Sequence, residues 1–203
     1  MPDPDLRKEY GYATIEADDE VAAGSYVTWK LIFTAGSRGV AGGGRIRIHT
    51  DSDTDRGVPQ FQDPAGADYT TVEAPGDAGV AMLVEDLKNW TLCVKGRGLG
   101  PGDRVTLTFG DRSRGGPGFR AQTFAEDKHY SWISVDVDGN GSFVKLPDPP
   151  YLKIVGGEAG DLHVIAPSLV EPGSPFRVLL RVEDAWGNPA SAYRGTVRIQ
   201  TNS

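Results

Sequence analysis

Apolar residues recur at every second position along most of the chain, which predicts half-buried β-strands. In YVTWKLIF (26–33), the residues Val27, Trp29, Leu31 and Phe33 fall on one face. The same alternation marks the segments 44–50, 90–96, 103–110, 128–138 and 141–147. The only helix-like stretch, 81–90, lacks a clear N-cap, so we expect a single turn or a strand there.

Turn-forming residues separate these segments. The strings AGG, DPAG, APGDAG, GLGPGD and GGPG combine glycine, proline and aspartate, which favour tight turns. Glycine and proline account for 27 and 14 of the 203 residues. Many short strands joined by turns predict an all-β fold, and a chain of this length can bury a sizeable core without a disulfide or metal.

The proline-rich stretch PDPPY (147–151) predicts a boundary between two units, because adjacent prolines favour a stiff, extended connection. We expect a β-sandwich domain over 1–150 and part of an immunoglobulin-like domain over 151–203. In the second unit, SPFRVLLRVED (174–184) alternates and YRGTVRIQ (193–200) predicts a further strand. The stretch VEDAWGNPASAYRGTVRI resembles the V-x-D-x-x-G-N-P turn and G-x-V strand of bacterial immunoglobulin-like domains. An immunoglobulin sandwich takes about 100 residues, so we expect this second sandwich to be truncated and to continue beyond Ser203.

The formal net charge of −7 argues against nucleic acid and anionic membranes as partners. Cys93 is the single cysteine, so no intrachain disulfide can form, which favours a reducing compartment. No segment has the length and apolarity of a membrane span, and the first residues show no basic-then-apolar leader pattern. These features predict a cytoplasmic protein without membrane insertion.

A glycine- and arginine-rich loop, FGDRSRGGPGFRAQTF (109–124), is the first candidate binding element. It lacks the lysine and the following helix of a P-loop, so it does not predict nucleotide binding. A nest of backbone N–H groups beside Arg112, Arg114 and Arg120 is a candidate site for an anion or an acidic sugar. The favoured alternative is a long turn whose arginines pair with nearby acids such as Asp111.

The segment DVDGNGSF (136–143) is the second candidate, for weak calcium binding. Asp136, Asp138 and Asn140 match ligand positions 1, 3 and 5 of a calcium loop, and Gly141 matches position 6. The twelfth position is Pro147 rather than glutamate, and the flanks predict strands. The favoured interpretation is therefore a hairpin turn.

Other chemistry-bearing residues are scattered. His49, His129 and His163 show no metal-ligand spacing, and Cys93 has no candidate base beside it, so no catalytic residue is predicted. Three tryptophans, Trp90, Trp132 and Trp186, are candidates for stacking on sugars. Trp132 shares a less apolar face with Tyr130 and is the foremost of them, although packing inside or between domains is the favoured role.

Five segments taken together, GYATIE, GSYVTWKLIFTAG, PQFQDP, FGDRSRGGPGFRAQTF and WGNP…YRGTVRI, resemble the N-terminal half of a bacterial family of uncharacterised multidomain proteins. The C-terminal half of that family resembles a PHP-type metal-dependent hydrolase that opens with a W-G-D-x-H motif. This chain has no such motif, so no metal ligand of the family falls on it. The resemblance implies a non-catalytic region without a cofactor of its own, whose partner is a downstream, divalent-metal-dependent hydrolase domain beyond Ser203.

Three functions follow as hypotheses. The first is an accessory or scaffolding region of a larger hydrolase. The second is a carbohydrate- or surface-binding β-sandwich module, which an exposed aromatic row would favour. The third is a calcium-stiffened, adhesin-like domain, which internal repeats would favour, although none is apparent.

Overall fold

Short strands joined by turns make up nearly all of the computed structural model, which describes residues 4–50 and 53–200. One helix, α1 (Pro4–Tyr10), precedes the first strand. The strands are β1 (Gly11–Glu16), β2 (Val21–Ala22), β3 (Tyr26–Val27), β4 (Trp29–Ala35), β5 (Arg45–His49), β6 (Thr70–Glu73), β7 (Ala78–Val84), β8 (Asn89–Gly96), β9 (Arg104–Phe109), β10 (Phe119–Arg120), β11 (Glu126–Tyr130), β12 (Trp132–Asp136), β13 (Val144–Lys145), β14 (Tyr151–Val155), β15 (Asp161–Ile165) and β16 (Leu179–Glu183).

Two large antiparallel sheets supply most of the core. Their strand orders are β1-β4-β9-β6 and β13-β12-β5-β8-β7. The side chains that the alternation assigns to one face are buried, and the innermost of them, Leu31, Phe33, Ile48, Leu92 and Leu107, are at most 1% exposed. They belong to a single apolar cluster that spans both sheets. The predicted all-β, sandwich-type fold is confirmed.

Aromatic rings fill the centre of the sandwich. Trp29 stacks on Phe109 at 4.0 Å between ring centroids, and Trp90, from the other sheet, contacts Phe109 at 5.2 Å. Phe119 meets both tryptophans edge-on. Such offset and edge-to-face pairs stabilise a core beyond the area that they bury. Because Trp90 has no exposed surface, it is excluded as a residue that stacks on sugars.

The helix-like stretch 81–90 is part of a hairpin. β7 continues to Val84 and β8 begins at Asn89. The Asp86 carboxylate closes the turn, since its Oδ1 accepts the backbone N–H groups of Lys88 at 2.7 Å and Asn89 at 2.8 Å. A side chain that satisfies the backbone in this way favours a turn over a helix.

The strand that follows the proline-rich linker belongs to the first unit. β14 pairs antiparallel with β11 and parallel with β2 in a three-stranded sheet. Its residues Leu152 and Ile154 are part of the main core. The division of the chain into two domains at 150/151 stays a prediction, but residues 151–155 pair and pack with the part before the linker.

Beyond β14 the chain forms a two-stranded ribbon, β15–β16, in antiparallel register from Asp161↔Glu183 to Ile165↔Leu179. Residues 193–200, which the structure describes, do not form the predicted strand. Of the alternating stretch 174–184, Phe176 and Val178 lie before β16, which begins at Leu179. Strands need a partner for their backbone groups, and within the described residues the free edge of β16 has only the isolated Glu183–Pro189 bridge. The immunoglobulin-like assignment of this unit stays a prediction.

The turn that follows β16 is anchored to the main body. Asn188 is buried; its Nδ2 donates to the carbonyl of Thr123 at 2.8 Å, and its Oδ1 accepts from the N–H of Ala125 at 2.7 Å. The ring of Trp186 lies against Gly24, where an added Cβ would come within 2.5 Å of the indole nitrogen. The G-N-P turn therefore fixes the ribbon to the sandwich.

Candidate functional site

Strands β11 and β12 form an almost continuous run that passes from the three-stranded sheet to the five-stranded sheet. The alternation continues through it: His129, Ser131 and Ile133 are buried, whereas Tyr130 and Trp132 keep part of their surface in solvent. The inward set completes the core, which fixes the outward direction of the other set. The run thus presents two aromatic side chains on the outside of the sheet junction.

Three aromatic rings lie side by side at this junction. Tyr130 is 5.4 Å from Trp132 and 5.7 Å from Tyr151, measured between ring centroids. The contact with Tyr151 arises because Tyr130 and Tyr151 are opposite each other in the β11–β14 pair. Tyr151 is the most open of the three, at 46% exposed. We call these three residues the aromatic strip.

Cationic side chains border the aromatic strip. The Nζ of Lys145 lies 3.5 Å from the centroid of the Trp132 ring, and the Nζ of Lys128 lies 5.3 Å from that of Tyr151. Arg47 lies opposite Ser134, the residue that also faces Lys145 on the other side of β12. We call Lys128, Lys145 and Arg47 the basic rim.

The basic rim is free of ion pairs with the residues that the structure describes. Arg47 instead lies over the ring of Phe143, 4.1 Å from its centroid. Cations above aromatic faces are held by the ring quadrupole, at about 0.5–1 kcal/mol when exposed. Among residues 4–50 and 53–200, no carboxylate forms an ion pair with the rim, whose charges lie beside rings that keep part of their surface in solvent.

The predicted calcium residues lie in a hairpin loop between β12 and β13, and their side chains have separate partners. Asp136 is buried and pairs with Arg45 at 2.9 Å, while Asp138 pairs with Arg38 at 3.1 Å. The Oδ1 of Asn140 accepts the N–H of Ser142 at 2.9 Å. The structure does not bring these three side chains together around a common point. Weak calcium binding by this segment, and calcium as its cation, therefore stay predictions.

The glycine-rich loop is held by its own arginines. The Nη2 of Arg112 donates to the carbonyl of Tyr26 at 2.6 Å, and that of Arg120 donates to the carbonyl of Asp55. Gly110, at φ +67°, begins the loop where any side chain would collide with the backbone of Phe119. Arg112 and Arg120 thus each bond to a different backbone carbonyl. Anion binding there stays a prediction, since two of the three guanidiniums already bond to backbone carbonyls.

A buried polar cluster is the feature that the sequence did not reveal. Arg56, 5% exposed, lies over the ring of Trp90 at 3.9 Å, and its Nη1 is 3.3 Å from the Nε2 of His129. The Nδ1 of His129 is 2.9 Å from Glu126, which also accepts from the Nε2 of Gln122 at 3.0 Å. Burial lowers the pKa of Arg56 to about 9, so the guanidinium is still charged at neutral pH.

The cluster borders an internal cavity of about 20 Å³, lined also by Trp29, Phe119 and Ile154. That volume suits one water molecule, and the Nε–H of Arg56 and the Oε1 of Gln122 offer it a donor and an acceptor. The cavity is too small for a substrate. No pattern in the sequence signals this cluster, because Arg56 lies in a turn-rich stretch that is distant from His129 along the chain.

The remaining candidates do not form a reactive group. His163 pairs with Glu183 at 3.0 Å on the ribbon, and Cys93 is partly exposed on the outer face of β8. Across residues 4–50 and 53–200, no group of three or more His, Cys, Asp or Glu side chains is arranged to hold a metal ion. The one helix in that same part of the chain, α1, is not long and apolar enough to cross a membrane.

Comparison with known proteins leaves the chain without an assigned family. No protein-family model and no curated protein matches it. Among solved structures, a cohesin module from the family 33 glycoside hydrolase of Clostridium perfringens is similar, with a TM-score of 0.41 and 13% sequence identity. The similarity covers 72% of this chain and 97% of that module. The likeness is distant and identifies neither a family nor a function.

Proposed function

We propose that this chain is a non-catalytic β-sandwich module that binds a carbohydrate on the aromatic strip. The observation that carries the proposal is the row formed by Tyr151, Tyr130 and Trp132 on an open sheet junction. The C–H faces of a sugar ring pack against aromatic faces, and the tyrosine hydroxyls add a polar edge for hydroxyl groups of the sugar. An open row rather than a pocket suits a chain of sugars better than a small substrate.

Two further observations support a binding role over an enzymatic one. The polar cluster around Arg56 and His129 borders a cavity of about 20 Å³, with no room for a substrate. The strip itself has aromatic and cationic groups, and the carboxylate nearest along β12, Asp136, is buried and paired with Arg45. Paired carboxylates, which most glycoside hydrolases use, are not a feature of the strip.

The test is affinity electrophoresis through gels that contain dextran, xylan or alginate. We expect retardation by at least one polysaccharide, and a loss of about tenfold in affinity, or 1.4 kcal/mol, for each ring removed by Trp132→Ala or Tyr151→Ala. Phe61→Ala is the matched control, because Phe61 is an exposed ring (42%) outside the strip. Failure of all three polysaccharides to retard the wild-type chain would refute the proposal.

An accessory role within a larger hydrolase is the second candidate, and it is compatible with the first. The resemblance to the bacterial multidomain family motivates it, and the ribbon offers a specific feature in its favour. Leu162 (47% exposed) and Val164 (63%) lie side by side on one face of the ribbon. A patch of this kind is typical of surfaces that pack against another domain.

Hydrogen exchange tests this accessory role. We expect the amides of residues 161–183 to be better protected in the full-length gene product than in the 203-residue chain. Equal protection in the two proteins would contradict docking of the ribbon. The calcium-stiffened alternative has less support, because the carboxylates of Asp136 and Asp138 are occupied by arginines.

A further inference from the structure

We propose that the ligand of the aromatic strip is an acidic polysaccharide, whose carboxylate or sulfate groups are bound by Lys128, Lys145 and Arg47. This inference rests on the proposed carbohydrate binding and adds the chemical class of the sugar. The structure places the three cations of the basic rim along the same row of rings.

The arrangement of charges across the sheet is the first argument. Ser134 lies between Lys145 on β13 and Arg47 on β5, and all three residues are on the outer face. Because neighbouring strands are about 4.8 Å apart, the backbones that carry the two cations are roughly 10 Å apart, one on each side of β12. A negatively charged polymer that follows the rings would pass between them and make charge-assisted hydrogen bonds.

The lack of ion pairs at the basic rim is the second argument. Acidic residues outnumber basic ones in this chain, 28 to 21, yet no ion pair among the described residues involves the basic rim. Of the carboxylates on this face, Asp136 is buried and bonded to Arg45, and Glu85 accepts the hydroxyl of Thr91, which lies opposite Arg47, at 2.7 Å. The negative charge of Asp127, next to Lys128 along β11, helps to raise the pKa of Lys153. An external anion therefore meets cations without displacing an internal partner.

The position of Lys145 is the third argument. Its Nζ lies 3.5 Å above the Trp132 ring and so covers one face of that ring. A neutral sugar must displace the ammonium group in order to stack there, and it offers nothing to hold the displaced charge. An acidic sugar gives the ammonium an ionic partner at the moment when it leaves the ring. Lys145 therefore discriminates in favour of acidic sugars.

Nucleic acid is a less suitable polyanion. Its charges lie on backbone phosphates, away from the bases that would stack on the rings. The three rim cations are spaced among rings rather than gathered in a groove. They suit a polymer that carries its anionic groups on the same sugar rings that stack.

The experiment compares four probes by biolayer interferometry: alginate, dextran sulfate, dextran and a single-stranded oligothymidylate. We expect alginate or dextran sulfate to bind at least tenfold more tightly than dextran, with affinity that falls as salt rises. Lys145→Gln and Arg47→Gln should each weaken binding of the acidic probe about fivefold. Dextran binding should stay within twofold in Arg47→Gln and should rise in Lys145→Gln, where no ammonium group covers the Trp132 ring. Lys30→Gln is the matched control, because Lys30 is exposed on β4 of the other sheet.

Each other outcome overturns a defined part of the argument. Equal binding of dextran and the acidic probes, without salt dependence, would refute the acidic class and leave carbohydrate binding standing. Tighter binding of the oligothymidylate than of any polysaccharide would refute both. The relative affinity for alginate and dextran sulfate identifies the anionic group as carboxylate or sulfate. If Lys145→Gln lowers thermal stability, Lys128→Gln provides the same test at an exposed position beside Tyr151.

Discussion

Arg45 and Asp136 form an ion pair across β5 and β12, with 2.9 Å between Nη2 and Oδ2. Asp136 has no exposed surface, and its oxygens also accept the N–H groups of Asn140 and Gly141. Burial on its own would raise the pKa of Asp136, but the bonds from Gly141, Arg45 and Asn140 outweigh it and hold the pKa below its ordinary value. An arginine thus occupies the position of charge partner that a calcium ion would need.

Calcium is therefore expected to stabilise the fold very little. A bound ion would have to displace Arg45, so the dissociation constant should be millimolar or weaker. At a calcium concentration equal to that constant, the gain in free energy of unfolding is about 0.4 kcal/mol, or about one to two degrees in Tm. A thermal melt with and without calcium measures this, with magnesium as the control cation. A rise of many degrees that Asp138→Ala abolishes would establish a real site.

Acid should weaken the attachment of the ribbon through Asp184. Burial tends to raise the pKa of this carboxyl, but hydrogen bonds from the Asn188 side chain and from the N–H groups of Gly157, Asn188 and Trp186 lower it overall. A carboxyl with a depressed folded pKa contributes stability that is complete above its ordinary pKa of about 3.9. That contribution disappears as the pH falls through the lower folded value.

The variant Asp184→Asn isolates this effect. At pH 7 we expect it to be about 2 kcal/mol less stable, because its amide would leave buried donors unsatisfied. The difference in free energy of unfolding between this variant and wild type should narrow as the pH falls below 4. Urea unfolding at several pH values measures it. Asp161→Asn, at an exposed position on β15, is the control and should show no such convergence. If the difference in free energy of unfolding stays constant down to pH 2, the ionised Asp184 carboxylate is not the source of the stabilisation.

Loss of Asn188 should release the ribbon without unfolding the sandwich. Its side chain is the acceptor for the Ala125 N–H and a donor to the Thr123 carbonyl, and unsatisfied buried groups cost about 1–3 kcal/mol each. In Asn188→Ala we expect limited proteolysis to cut within 157–200 several times faster, while a fragment of about 10–155 stays intact. Asn140→Ala, in an exposed hairpin loop, is the matched control. Equal cleavage rates in all three proteins would show that Asn188 does not anchor the ribbon.

Much of the sandwich was predictable because its strands obey the simplest physical rule, one buried face and one exposed face. The alternation in 26–33 and 103–110 identified Leu31, Phe33 and Leu107 as core residues before any coordinate was known. Several turns were equally apparent, since glycine, proline and aspartate in strings such as APGDAG and GLGPGD leave the backbone few other options. The same rule failed at 193–200, where the alternation is present but none of the described strands offers hydrogen-bond partners.

The candidate site was only half predictable. Alternation placed Trp132 and Tyr130 on one less apolar face, but the third ring, Tyr151, comes from a strand on the far side of a proline-rich linker. The linker was interpreted as a boundary, and long-range pairing of β11 with β14 leaves no local trace in the sequence. Arg56 and His129 were missed for the same reason: their contact joins residues that are 73 positions apart.

The charge of Arg56 should add little to stability, whereas its side-chain volume should matter. The guanidinium is buried above Trp90 and has no carboxylate in direct contact among the described residues. Removing a buried charge while keeping its packing is often neutral or stabilising, but deleting the side chain leaves a cavity. We expect Arg56→Met to stay within about 1 kcal/mol of wild type, since only the bond to His129 is lost. Arg56→Ala should be about 3 kcal/mol less stable. Chemical unfolding of the three proteins at pH 7 decides the matter: if Arg56→Met loses as much as Arg56→Ala, the charge itself holds the cluster together.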